Sequence, residues 1–129
     1  MRTRAARDKH ELRRQPARLA RLLFDSALSS LPHSSSDATE RHLLFVDPDF
    51  DIHVRISASG SQKKIRGQVI SHKSGHSSIR VALFVQGGQL RETTRPDKFG
   101  EFHFDPVPTG YVFIQVLTRS RHVATSFEA

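Results

Sequence analysis

Phe50-Asp51-Ile52-His53-Val54-Arg55-Ile56-Ser57 places an apolar side chain at every second position and a polar one between. Side chains in a strand alternate between faces, so this pattern predicts a strand with one buried and one wet face. The same period recurs on either side of it. Leu43 to Val46 gives a short strand that ends at Asp47-Pro48. Ile65-Gly67-Val69, then Ile79-Val81-Leu83-Val85, continue the alternation. Gly87-Gly88 suits a two-residue hairpin turn, because both glycines can take positive φ, and Gln89 to Thr94 is the returning strand. Phe102 and Phe104 alternate with Glu101 and His103. Pro108-Thr109-Gly110 turns the chain into Val112, Ile114 and Val116, and His122 to Phe127 adds a last strand. Seven or eight short strands with turns every ten or so residues predict an all-β fold, a small Greek-key β-sandwich. Its core should contain Phe102, Phe104, Val81, Leu83, Ile114 and Val116.

Charge divides the chain differently. In the first 22 residues, eight basic side chains face two acidic ones, a balance of +6 out of a total of +7. The remaining 12 basic and 11 acidic residues nearly cancel, so the high pI describes an arm and not the fold. Residues 1–40 are expected to be a basic, partly helical arm and Ser-rich linker, and residues 41–129 the sandwich. Pro16 suits the first turn of a short helix from Ala17, with Leu19, Leu22 and Leu23 at helical spacing. Leu31-Pro32-His33-Ser34-Ser35-Ser36 has linker composition. The basic start is followed by no apolar stretch, so no secretory signal is expected. The longest apolar run, Val81 to Val85, is too short for a membrane span. With no cysteine, disulfides and thiolate metal sites are excluded, which fits a cytoplasmic setting.

Ile65 to Val116 resembles the carboxypeptidase regulatory-like domain, a transthyretin-like β-sandwich. The resemblance is carried by Ile65-Arg66-Gly67-Gln68-Val69, Ile79-Arg80-Val81-Ala82-Leu83, Thr93-Thr94, Asp97, Gly100, Phe102, Phe104, Val107-Pro108 and Gly110, then Val112, Ile114 and Val116. Val112 stands where that family usually has an aromatic residue, and Tyr111 comes one position early. What the resemblance implies is an accessory module, not an enzyme. Leu22-Leu23-Phe24-Asp25-Ser26, with Leu43-Leu44-Phe45 and Asp51-Ile52, is also similar to a group of small bacterial proteins associated with genes for alternative sigma factors.

Candidate chemistry is sparse. Asp47-Pro48-Asp49-Phe50-Asp51 starts like a calcium loop, but Ile52 and Ala58 stand where Gly and a bidentate Glu are needed. His72 and His76 have ligand spacing without a third ligand nearby, and His53 and His103 fall at outward positions. No nucleophile elbow and no P-loop is present, and no motif calls for a cofactor. Phe84, Tyr111 and Phe113 are outward aromatics and make a candidate docking patch, unless the helix over 17–24 or the strand over 43–46 covers them. Arg13, Arg14, Arg18 and Arg21 are the candidate anion contacts of the arm. The leading expectation is therefore a non-enzymatic interaction module that docks a protein partner. The alternatives are nucleic-acid association through the arm, and carbohydrate binding on the sandwich face, which the absence of Trp disfavours.

Overall fold

The computed structural model describes residues 18–28, 40–72, 78–119 and 121–129. They form ten strands and one 3-10 turn, Ser26–Leu28. The strands are β1 (Arg18–Leu19), β2 (Arg21–Asp25), β3 (Glu40–Val46), β4 (Phe50–Ser59), β5 (Gln62–Ser71), β6 (Arg80–Val85), β7 (Gln89–Thr94), β8 (Glu101–Val107), β9 (Tyr111–Leu117) and β10 (His122–Glu128). The first sheet has the order β1-β10-β9-β6-β7 and the second β2-β3-β4-β5-β8. β1 runs parallel to β10, and every other pairing is antiparallel.

The inward residues of the two sheets meet in one core. Phe50, Ile52 and Val54 of β4, Ile65 of β5 and Phe104 of β8 face Val81, Leu83, Val112, Ile114 and Val116 of the other sheet, all almost completely buried. Phe102 packs at 5.8 Å from Phe104 and lies over Gly67, its partner across the β5–β8 pair. A Cβ at Gly67 would come within 2.2 Å of that ring, so the missing side chain is what lets Phe102 lie down. Val85 pairs with Gln89, so the β6–β7 loop is three residues, Gln86-Gly87-Gly88, and the two-residue turn expected there is corrected; Gly87 and Gly88 take φ of 90° and 76° in it.

The helix expected from Ala17 is corrected, as is the count of seven or eight strands. Residues 18–19 and 21–25 lie on strands, and the described residues contain no α-helix. A three-turn helix is marginal alone, and here two sheet edges compete for the same backbone. β1 completes the free edge of β10, and after Ala20, whose N–H donates to the Ala124 carbonyl at 2.9 Å, β2 completes the edge of β3. Leu19, Leu22 and Leu23 stay exposed, while Ala20 and Asp25 turn inward. The arm upstream of Arg18, with Arg13 and Arg14, and the linker over 31–36 lie outside the described residues.

Candidate anion-binding face

The outward residues of the second sheet are set by one turn. Gly60-Ser61 joins β4 to β5, with Ser59 opposite Gln62 and Gly60 at φ 62° in the first turn position. That register puts Arg55 directly opposite Arg66. The neighbouring pairings extend the row: His42 lies opposite Arg55, and His103 opposite Arg66. His42, Arg55, Arg66 and His103 thus cross four strands in a line, roughly 14 Å at the usual inter-strand spacing of about 4.8 Å. The next row is Leu44, His53, Gln68 and Glu101, with Phe24 of β2 opposite Leu44. Together with Lys64 these residues line a groove of about 510 Å³.

Like charges directly opposite on a sheet destabilise it. Among the described residues, Arg55, Arg66 and Lys64 make no ion pair or side-chain hydrogen bond that would relieve this. His42 alone in the row has a carboxylate partner, Glu40 at 3.0 Å. Asp97 and Glu101 also line the groove, but several other acids of the fold are engaged elsewhere. Asp25 is paired with Arg41 at 2.7 Å, and that hydrogen bond, ahead of the opposing effect of burial, holds its carboxyl below the ordinary range. Asp47 and Asp49 take Arg18, and Asp49 also takes Arg121. The Asp97 carboxylate accepts the N–H groups of Phe99 and Glu101, both at 2.9 Å. A nearly neutral sum over 23–129 therefore hides a segregated surface.

The sequence candidates fall into three groups. Arg18 is not a free cation: hydrogen bonds to Asp47 and Asp49 hold its guanidinium charged, and raise its pKa further. The would-be calcium loop is thus a receptor for two guanidinium groups. Arg21 is exposed on β2 opposite Val46, at the margin of the cationic face. Phe84 is corrected: it is 7% exposed and clusters with Ala82 and Leu117, opposite Phe113 and Leu90. The proposed covers are not involved in that clustering, since β1, β2 and β3 lie in edge strands and in the other sheet. Tyr111 and Phe113 do face out from β9, 57% and 37% exposed.

The histidines form no metal site among the described residues. β5 separates His53 from His103. His72 bonds the Pro48 carbonyl and Asp51, each at 3.0 Å, and these, the carbonyl foremost, raise its pKa. His76 lies outside the described residues. The cationic row itself was missed from sequence. Its signal was the turn composition at Ser59-Gly60-Ser61, which fixes the β4–β5 register once a two-residue loop is assumed. No helix among the described residues is long and apolar enough to cross a membrane. No family model, curated protein or solved structure matches the chain.

Proposed function

We propose that this chain is a non-enzymatic binding module that takes an anionic polymer on the outer face of its second sheet. The observation behind it is the Arg55–Arg66 pair, opposed in register and without an ion-pair partner among the described residues, extended on both sides by His42 and His103. An anion laid along this row removes the repulsion and stabilises the fold by mass action. The basic arm over residues 1–22 adds sequence-independent attraction for the same partner. The likeness to carboxypeptidase regulatory-like domains, Greek-key sandwiches that serve as accessory modules, supports binding without catalysis, and the lack of cysteine suits a cytoplasmic setting.

Titration of the full chain with labelled inorganic polyphosphate tests this. Binding should weaken steeply with salt and fall at least about tenfold in Arg55→Glu/Arg66→Glu, a variant of two exposed side chains. Absence of binding at low salt, or binding indifferent to this substitution, overturns it.

A protein partner on the opposite face is the second possibility. Tyr111 and Phe113 project there, and on the same side Gln115 Oε1 and His122 Nδ1 are buried without a hydrogen-bond partner among the described residues. A docked chain could supply those bonds. Carbohydrate stacking on the same two aromatics would be abolished by Tyr111→Ser/Phe113→Ser, and so would protein docking.

A further inference from the structure

The groove does not end at β8. A second cavity, about 880 Å³, opens where β5 ends and the chain enters β6, closed by the turn between β7 and β8. It shares Gln68 and Asp97 with the groove, so the two adjoin. Its cations are Arg80, Arg95 and Lys98, and none of them has an ion pair among the described residues. Its aromatic wall is Phe99, 63% exposed, with the Lys98 ammonium 5.1 Å from the ring centroid.

Phe99 is held there by a well-bonded turn. Gln68 Nε2 donates to the Phe99 carbonyl at 2.9 Å, which ties the turn to the cationic face. The Gly100 N–H donates to the Asp97 carbonyl, and the Val69 N–H to the Gly100 carbonyl, at 2.9 and 2.8 Å. Gly100 has φ 80°, and a Cβ there would meet Val69 O at 2.1 Å. The turn backbone thus holds a large ring in solvent, where it adds little to the core.

A cationic row in one groove, and an exposed aromatic ring flanked by further cations in the adjoining cavity, with Gln68 and Asp97 common to both, fit a polymer with phosphates and flat rings. Such a polymer would set its phosphates against the Arg55–Arg66 row and a base on Phe99. We infer that the anionic polymer is a single-stranded nucleic acid, with the cavity at Phe99 as its base-stacking subsite. A duplex keeps its bases stacked inside and offers none to Phe99. The inference rests on the anionic-polymer assignment above and narrows its ligand class.

Fluorescence anisotropy on the full chain tests it, with four probes: oligothymidylate of roughly 12 nucleotides, within the footprint of a small single-strand-binding module, an abasic strand of equal length, the corresponding duplex, and inorganic polyphosphate. Charge contacts from the arm act on the two strands alike, so their ratio isolates stacking. The thymidylate strand should bind about tenfold more tightly than the abasic strand and more tightly than the duplex. Phe99→Ala should abolish the difference between the two strands, Phe99→Trp should keep it, and neither should alter the affinity for polyphosphate. Equal affinity for the two strands in the native chain, equal loss on both in Phe99→Ala, or duplex binding as tight as single-strand binding, would overturn the base subsite and leave the anionic-polymer assignment standing. No binding to any of the four, polyphosphate included, sinks that assignment itself.

Discussion

Arg18 and Asp47 join the two sheets: Nε of Arg18, on β1 of the first sheet, donates to Oδ1 of Asp47 at 2.6 Å, and Nη2 to Oδ2 at 2.8 Å. Asp47 directly follows β3 of the second sheet and is almost fully buried, as is Asp49, which Nη2 also reaches at 2.8 Å. A buried carboxylate that loses its partner is strongly destabilising, whereas the intact pair is worth much less than that loss suggests. Arg18→Gln should therefore lower the melting temperature. The combined variant Arg18→Gln/Asp47→Asn should be less damaged than the two single effects added together. Strict additivity in denaturant melts would mean that the pair does not couple the sheets.

Removal of the chain before Arg41 has a larger consequence. It bares the edges of β3 and β10, takes Arg18 from the buried Asp47 carboxylate, and leaves Arg41 without Asp25. Unpaired strand edges are templates for aggregation. A chain starting at Arg41 should melt lower than the full chain and self-associate more. Equal melting temperatures and a monomeric profile in size-exclusion chromatography would show that β1 and β2 contribute nothing.

Asp25 makes the fold acid-sensitive. Arg41 depresses its carboxyl in the folded state, so the unfolded chain takes up this proton first as pH falls. The stability from this pair is complete above the ordinary Asp value of about 3.9 and is lost as pH falls through the lower, folded value. Asp25→Asn should lower stability at neutral pH and flatten the acid limb below about pH 4. An acid limb as steep as that of the native chain would remove Asp25 as its source.

Phe104 stands at the centre of the core, and Phe99 on its surface. Phe104→Ala should cost on the order of 3–5 kcal/mol, a large share of the ~5–15 available to a domain of this size. Phe99→Ala should stay within about 0.5 kcal/mol. Similar losses in urea melts would show that the two rings are not partitioned between core and surface.

Much of this fold was legible because period-two alternation survives without tertiary information, and the Gly-Gly turn marked the return of β7, whose own residues show no buried face. β1 and β2 were not legible. Leu19, Leu22 and Leu23 are exposed edge residues, so their spacing reports no buried face, and what pulls them into strands is the bare backbone of β3 and β10. The candidate site failed in a similar way. Arg55, Arg66 and His103 are each visible as outward residues, but their alignment depends on register, which only pairing supplies. Net charge concealed them too, because Asp25, Asp47 and Asp49, which cancel their charge in the sum, are buried against other arginines.

The Arg55–Arg66 pair should show opposite signs in stability and in binding. In the free protein the two guanidinium groups repel across neighbouring strands, so Arg66→Ser should raise stability by about 0.2–1 kcal/mol. The gain should shrink as salt screens the pair, with a Debye length of about 8 Å at physiological ionic strength. The same substitution removes one phosphate contact. If Arg55, Arg66 and Lys64 each displace one counterion, the row contributes about −2 to the slope of log K against log salt for a single strand. Arg66→Ser should reduce that by roughly 0.7. A variant that melts higher and binds more weakly identifies a surface where stability has been given up for ligand. If Arg66→Ser instead lowers stability at low salt, the pair is not repulsive, and the row would have no unmet charge for an anion to relieve.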